Sequence, residues 1–66
     1  MTEEQYEDCL AGIGRQIEMA MRCGLNVAFP LDSFETKEPD GRPALLVLGR
    51  TTTGEPVYFR QALVLH

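Results

Sequence analysis

The run Ala44-Leu45-Leu46-Val47-Leu48-Gly49-Arg50 contains the longest apolar stretch of the chain and decides its fold. It carries apolar side chains on both faces, which is typical of a strand at the centre of a sheet. Pro39-Asp40-Gly41 before it predicts a tight turn, because proline presets φ and glycine tolerates a positive φ. Residues 51–56 turn the chain again, and residues 57–65 run back. The region therefore predicts an antiparallel hairpin.

Pairing Arg50 with Val57 gives this hairpin two different faces. One face is apolar and suits a covering helix; it holds Ala44, Leu46, Leu48, Val57, Phe59, Leu63 and Leu65. The opposite face holds Leu45, Val47, Gly49, Tyr58, Arg60, Ala62 and Val64, with Tyr58 across from Gly49. Because a slip of one residue reverses the faces of a strand, the register is itself part of the prediction.

Residues 3–23 are predicted to form an amphipathic helix. Thr2 and Gln5 have the spacing of a capping box, and Gly24 suits the left-handed conformation that ends a helix. Apolar positions recur every three or four residues, at Tyr6, Leu10, Ile13, Ile17, Ala20 and Gly24. Gly12 and Gly14 lie within this segment. Either a neighbouring element packs closely against them, or the helix kinks or breaks there.

Two shorter segments complete the predicted fold. Residues 26–29 can form a short strand that Pro30 ends or confines to a sheet edge, and residues 34–37 can form another edge segment. We therefore predict a single α+β domain, residues 1–66. In it an N-terminal amphipathic helix packs on a small antiparallel sheet of three to four strands, in the order α-β-β-β.

The small size of the chain favours association with a second copy. Its 66 residues are 44% apolar, but a domain of this size buries only about 60% of the surface that it exposes when unfolded. One helix also covers only one side of a sheet. On the predicted register, Leu45, Val47 and Val64 lie on the uncovered side, so we expect them to form the surface of a homodimer.

The cysteines and the histidine predict neither a disulfide nor a metal site. Cys9 and Cys23 lie 14 residues apart in the predicted helix, or about 21 Å, whereas a disulfide requires Cα atoms within about 7 Å. Two thiols and a terminal His66 do not make a zinc site. Reduced cysteines, an acidic N-terminus and the absence of an apolar run of ~18 residues predict a cytoplasmic protein without a membrane segment.

Arginine and tyrosine supply the only candidate site residues. Residues 1–40 hold nine acidic and three basic residues, a net charge of −6, whereas residues 41–66 have a net charge of +2. No pattern typical of a catalytic, cofactor-binding or metal-binding site occurs, and Gly12 and Gly14 lie in a predicted helix rather than in a phosphate loop. The candidate contacts to a protein, an anion or RNA are Arg42, Arg50, Tyr58 and Arg60.

Four segments resemble a bacterial family related to the RelE/ParE/BrnT-type toxins of toxin–antitoxin systems: residues 16–24, Phe29-Pro30, residues 39–50 and residues 54–58. Members typically show a helix ending in glycine, an aromatic-proline step, an Asp-Gly-Arg-Pro turn and a strand ending in Leu-Gly-Arg. The resemblance covers residues 16–64 and implies RNA contacts at the four candidate residues. Residues 1–15 lack the His-Ala and Arg-rich motif of the family's upstream helix, which implies a relative without the nuclease residues.

Together these patterns predict a small, non-enzymatic protein with a protein partner and no cofactor. An interaction, accessory or inhibitor protein of a mobile element fits them, because no active-site constellation is present and one sheet face is left to a partner. The second hypothesis, which rests on the resemblance, is an RNA-directed toxin-like protein. Binding of RNA that weakens with added salt separates the second hypothesis from the first.

Overall fold

The computed structural model describes residues 1–64 and shows one helix packed on a three-stranded antiparallel sheet. The chain forms α1 (Glu3–Arg22), β1 (Val27–Lys37), β2 (Pro43–Thr51) and β3 (Pro56–Ala62), and the strand order in the sheet is β1-β2-β3. This confirms the predicted α+β fold and its α-β-β-β order. Leu65 and His66, which the sequence prediction also used, lie outside the described residues.

Both ends of α1 are formed by the local signals that the sequence contains. The Thr2 hydroxyl accepts a hydrogen bond from the Gln5 backbone N–H (3.1 Å), and the Gln5 side chain accepts one from the Thr2 N–H (3.0 Å). At the other end Gly24 has a φ of 96°, and the Leu25 N–H donates to the Ala20 carbonyl (3.0 Å). These bonds satisfy backbone groups that a helix end leaves unpaired, so they confirm the predicted start and stop.

The helix continues through its two glycines, so the predicted alternative of a break is wrong. At Gly12 the close-packing alternative applies, because an added Cβ would lie 2.5 Å from Oε1 of Gln61 on β3. Gly14 instead faces open space. Close packing therefore accounts for only one of the two glycines.

The buried face of α1 packs on β3 and β2. Cys9 and Ile13 are only 1% and 2% exposed, and Tyr6 and Ile17 pack partly buried beside them. Leu10, which we predicted in the buried stripe, is 44% exposed, so that part of the prediction is wrong. α1 packs mainly on β3, and its contact side is centred on Cys9 and Ile13, four residues apart, so Leu10 lies beside this contact.

The register of the β2–β3 hairpin differs from the prediction by one residue. Arg50 pairs with Pro56 rather than Val57, and Tyr58 lies opposite Leu48 rather than Gly49. The faces of β2 are therefore exchanged. Leu45 and Val47, predicted on the dimer surface, are 0% and 4% exposed beneath the helix. Their assignment to an uncovered face is wrong, although Val64 is exposed as predicted.

The first strand joins the two short segments that the sequence analysis separated. Its pairing with β2 shifts register between Ala28 and Asp32, and Pro30 lies within this irregular stretch. An edge strand tolerates a proline there, because one side of its backbone needs no partner in the sheet. The β1–β2 turn contains Gly41 at a φ of 91°, and the Glu38 N–H donates to the Arg42 carbonyl (2.8 Å).

Candidate interaction site

The side of the sheet that faces away from α1, here named the open face, carries the candidate site. Residues paired directly across an antiparallel sheet point to the same side. Two rows of three residues therefore cross the centre of this face. They are Phe34–Leu46–Arg60 and Asp32–Leu48–Tyr58.

The centre of the open face is apolar and accessible. Phe34 is 51% exposed, Leu48 is 39% exposed and Tyr58 is 71% exposed, and each lies on a different strand. Because aromatic side chains bury about 150–250 Å² each in protein cores and interfaces, these three leave a few hundred Å² of mainly apolar surface in water. The largest apolar patch of a soluble monomer typically has about this size, and it is often a functional surface.

Two of the predicted arginines are held by carboxylates. Nη2 of Arg60 lies 2.9 Å from Oε2 of Glu38, and Nε of Arg42 lies 2.8 Å from Oδ2 of Asp40. The backbone N–H of Arg42, and then its guanidinium, hold the pKa of Asp40 below its usual value. Both pairs are partly exposed, so they fix the orientation of the side chains more than they stabilise the fold.

Arg50 differs from the other two sheet arginines. It lies at the end of β2, where Nη1 donates a hydrogen bond to the Gly54 carbonyl (3.0 Å). Among residues 1–64 it has no carboxylate within 4.0 Å of its guanidinium. Arg50 can therefore form an ion pair with a group outside the described chain.

The structure brings together three of the four predicted site residues. Arg50, Tyr58 and Arg60 occupy alternate paired positions on the open face, whereas Arg42 belongs to the β1–β2 turn beside Asp40. Phe34 and Leu48 also belong to this site, although they are not among the site residues predicted from the sequence. Phe34 is the one apolar residue in the stretch from Ser33 to Lys37. This pattern indicates a single aromatic side chain on one side of a strand.

A cleft of about 270 Å³ lies between α1 and the end of β3, and Cys9, Arg15 and Gln61 are among its lining residues. Burial raises the pKa of the Cys9 thiol, and the charge of Asp8 raises it further. The thiol therefore stays protonated at neutral pH and is a poor nucleophile. Among residues 1–64 no group of three His, Cys, Asp or Glu residues is placed to hold a metal ion.

No helix in residues 1–64 combines the length and the apolar character needed to cross a membrane. Comparison of the chain with protein-family models, curated proteins and solved structures finds no match.

Proposed function

We propose that this chain is a small, non-enzymatic interaction module that binds a protein partner through its open face. The observation that carries this function is the exposure of Phe34, Leu48 and Tyr58 at the centre of the sheet side that faces away from the helix. Tyrosine and arginine are enriched among the residues that dominate protein interfaces. An accessory or inhibitory role fits a surface whose residues bind a partner and do not catalyse a reaction.

The charges around the apolar centre indicate what the partner presents. Arg60 is held by Glu38 and is already oriented, which lowers the entropy lost when it contacts a partner. Arg50, which pairs with no carboxylate among residues 1–64, carries a positive charge at one end of the face. We therefore expect an apolar protein surface with a carboxylate placed to meet Arg50, because an unlike pair at the rim favours the correct orientation.

RNA is the second candidate partner, and the two exposed aromatic residues on the open face favour it. Sheet surfaces with aromatic side chains bind single-stranded RNA by stacking its bases, and arginines contact the phosphates. Against this, the guanidinium of Arg60 is paired with a carboxylate, and Asp32 lies in the same row as Tyr58. Both features weaken attraction for a polyanion, so we rank RNA below a protein partner.

We place the module in the cytoplasm. Cys9 and Cys23 are free thiols, and Cys23 is exposed. Reducing compartments keep such thiols from oxidising.

Photo-cross-linking followed by purified binding tests this function. A benzophenone amino acid replaces Tyr58, and the protein captured in the cells that express the chain is then purified. Leu48→Arg should weaken its binding at least tenfold in calorimetry, whereas Met19→Arg on the exposed side of α1 should leave it unchanged. Equal effects of the two variants would refute the assignment to the open face. Capture of RNA, bound less tightly at higher salt, would favour the second candidate.

A further inference from the structure

The two edges of the sheet differ in how their backbone groups are used. Directly after β3 the Leu63 N–H donates to the Pro43 carbonyl (2.9 Å). The odd-numbered residues of β3 therefore turn their backbone groups to β2, and the even-numbered residues turn theirs outward. Two outward carbonyls are capped. Gln16 donates to the Arg60 carbonyl (2.7 Å), and Gln61 donates to the Ala62 carbonyl (2.9 Å). Side chains thus occupy the outward carbonyls of Arg60 and Ala62, which disfavours the pairing of another strand along this part of the edge.

Among residues 1–64 the edge at β1 has no such caps, although Met1 lies beside residues 35–37. The Glu38 N–H bonds to the Arg42 carbonyl, and Thr36 pairs with Ala44, so the even-numbered residues of this strand face β2. The N–H and C=O groups of Ser33, Glu35 and Lys37 therefore point away from the sheet. Within residues 1–64 no side chain or loop bonds to these groups. The segment is regular in its pairing with β2 and lies beyond the register shift near Pro30.

We infer that this edge pairs antiparallel with β1 of a second copy, about a two-fold axis at Thr36. The axis sets Thr36 opposite Thr36 of the second copy. It also sets Glu35 opposite Lys37 of the second copy, and the reverse, so two unlike charge pairs flank the centre. Threonine pairs and unlike charges directly opposite each other are both favourable in antiparallel ladders. The pairing joins two three-stranded sheets into one continuous sheet.

Charge selects this register over its neighbours. An axis at residue 35 sets the two Glu35 carboxylates against each other, which is unfavourable. An axis at Phe34 sets Glu35 opposite Ser33 and sets Lys37 opposite Leu31, in the irregular part of β1, so neither charge gains an unlike partner. The axis at Thr36 pairs every charge of the regular segment from Ser33 to Lys37. Since the edge is separate from the open face, this inference does not rest on the proposed function.

Charge reversal tests the pairing. The dissociation constant of the wild type is measured by sedimentation equilibrium at low salt. Glu35→Lys and Lys37→Glu should each raise it at least tenfold, because each places like charges opposite each other, and the double variant should restore it. Glu7→Lys, on the exposed side of α1, is the control for the change of net charge in Glu35→Lys. A wild type that stays monomeric at millimolar concentration overturns the inference.

Cysteine cross-linking tests the register separately. In a Cys23→Ser background, Thr36→Cys should give a disulfide-linked dimer on mild oxidation, because non-hydrogen-bonded antiparallel partners have Cα atoms about 4.5 Å apart. Ser33→Cys should not cross-link, since its two copies lie about 20 Å apart along the strands in this register. Cross-linking through position 33 overturns the register. Loss of the dimer in Leu48→Arg, with charge reversal silent, would instead place the second copy on the open face.

Discussion

Replacing Leu45 with alanine tests which side of β2 faces the helix. Leu45 is 0% exposed and belongs to the core cluster with Ile13 and Phe59. Its neighbour Leu46 is only half-buried and lies on the open face, between Phe34 and Arg60. The same substitution at these adjacent positions therefore removes the same atoms from two different environments.

The two substitutions should differ severalfold in cost. Removing a fully buried leucine side chain costs about 2–5 kcal/mol, because transfer energy is lost and a cavity remains. For a chain of 66 residues the whole free energy of unfolding is about 3–10 kcal/mol, so Leu45→Ala should remove a large part of it. At about 4–8 °C per kcal/mol, the melting temperature should fall by ~10 °C or more. At Leu46 exposed neighbours and solvent fill the gap, and we expect about 1 kcal/mol.

Urea unfolding followed by circular dichroism at 222 nm measures both costs. The wild type and the two variants are compared at one protein concentration, so that any association contributes equally. A common m-value confirms that unfolding exposes the same surface in all three. If Leu46→Ala costs as much as Leu45→Ala or more, the faces of β2 are the reverse of those described. The register with Arg50 opposite Val57 would then be correct.

Three further predictions follow from local contacts. Gly14→Ala should stabilise the protein by about 0.5–1 kcal/mol, because no atom lies near the added Cβ. Gly12→Ala should give no gain in stability or a loss, because its added Cβ collides with the Gln61 side chain on β3. Thermal melts of the two variants measure the difference. Iodoacetamide under native conditions should modify exposed Cys23 well before buried Cys9, as mass spectrometry would show, and equal rates would contradict the helix packing. The lowered pKa of Asp40 means that its contribution to stability is present above its unfolded pKa and lost as the pH falls through the folded value. Asp40→Asn should therefore reduce the loss of unfolding free energy on the acid side of a plot of stability against pH. An unchanged plot would contradict the hydrogen bond from the Arg42 backbone N–H to the Asp40 carboxylate.

Features of the fold that depend on neighbouring residues were predictable from the sequence. The capping box of Thr2 and Gln5 and the left-handed Gly24 use contacts within one helical turn, so no tertiary information is needed. The turn at Gly41 is local in the same sense. For these elements the residues that the prediction used are the residues that make the observed bonds.

The hairpin register was not predictable from apolar pattern, because β2 is apolar on both sides. Leu45 and Val47 fit under a helix as well as Leu46 and Leu48 do, so periodicity does not distinguish the two alternatives. The predicted pairing of Tyr58 with Gly49 is wrong, because Tyr58 lies opposite Leu48. The missing Cβ of Gly49 instead makes room for the Leu31 side chain, a contact between strands that the sequence does not signal.

The candidate site was only partly predictable, because the sequence indicates the faces of β3 but not those of β2. Val57 and Phe59 face inward, so Tyr58 and Arg60 are on the open face as predicted from the alternation of β3. The apolar centre depends on β2, whose faces were exchanged, and Leu48 was therefore assigned to the core. The ion pair of Arg60 with Glu38 joins residues 22 positions apart and depends on the folded sheet.

The two glutamines that cap carbonyls of β3 also limit how many copies can join. Association by strand addition continues without limit only when each added subunit presents another unpaired edge strand to the next subunit. Gln16 and Gln61 donate hydrogen bonds to outward carbonyls of β3. A dimer joined through β1 would therefore have a partly capped β3 strand at each outer edge of its sheet. If the copies pair as inferred, we expect association to stop at the dimer and not to continue into filaments as the protein concentration rises.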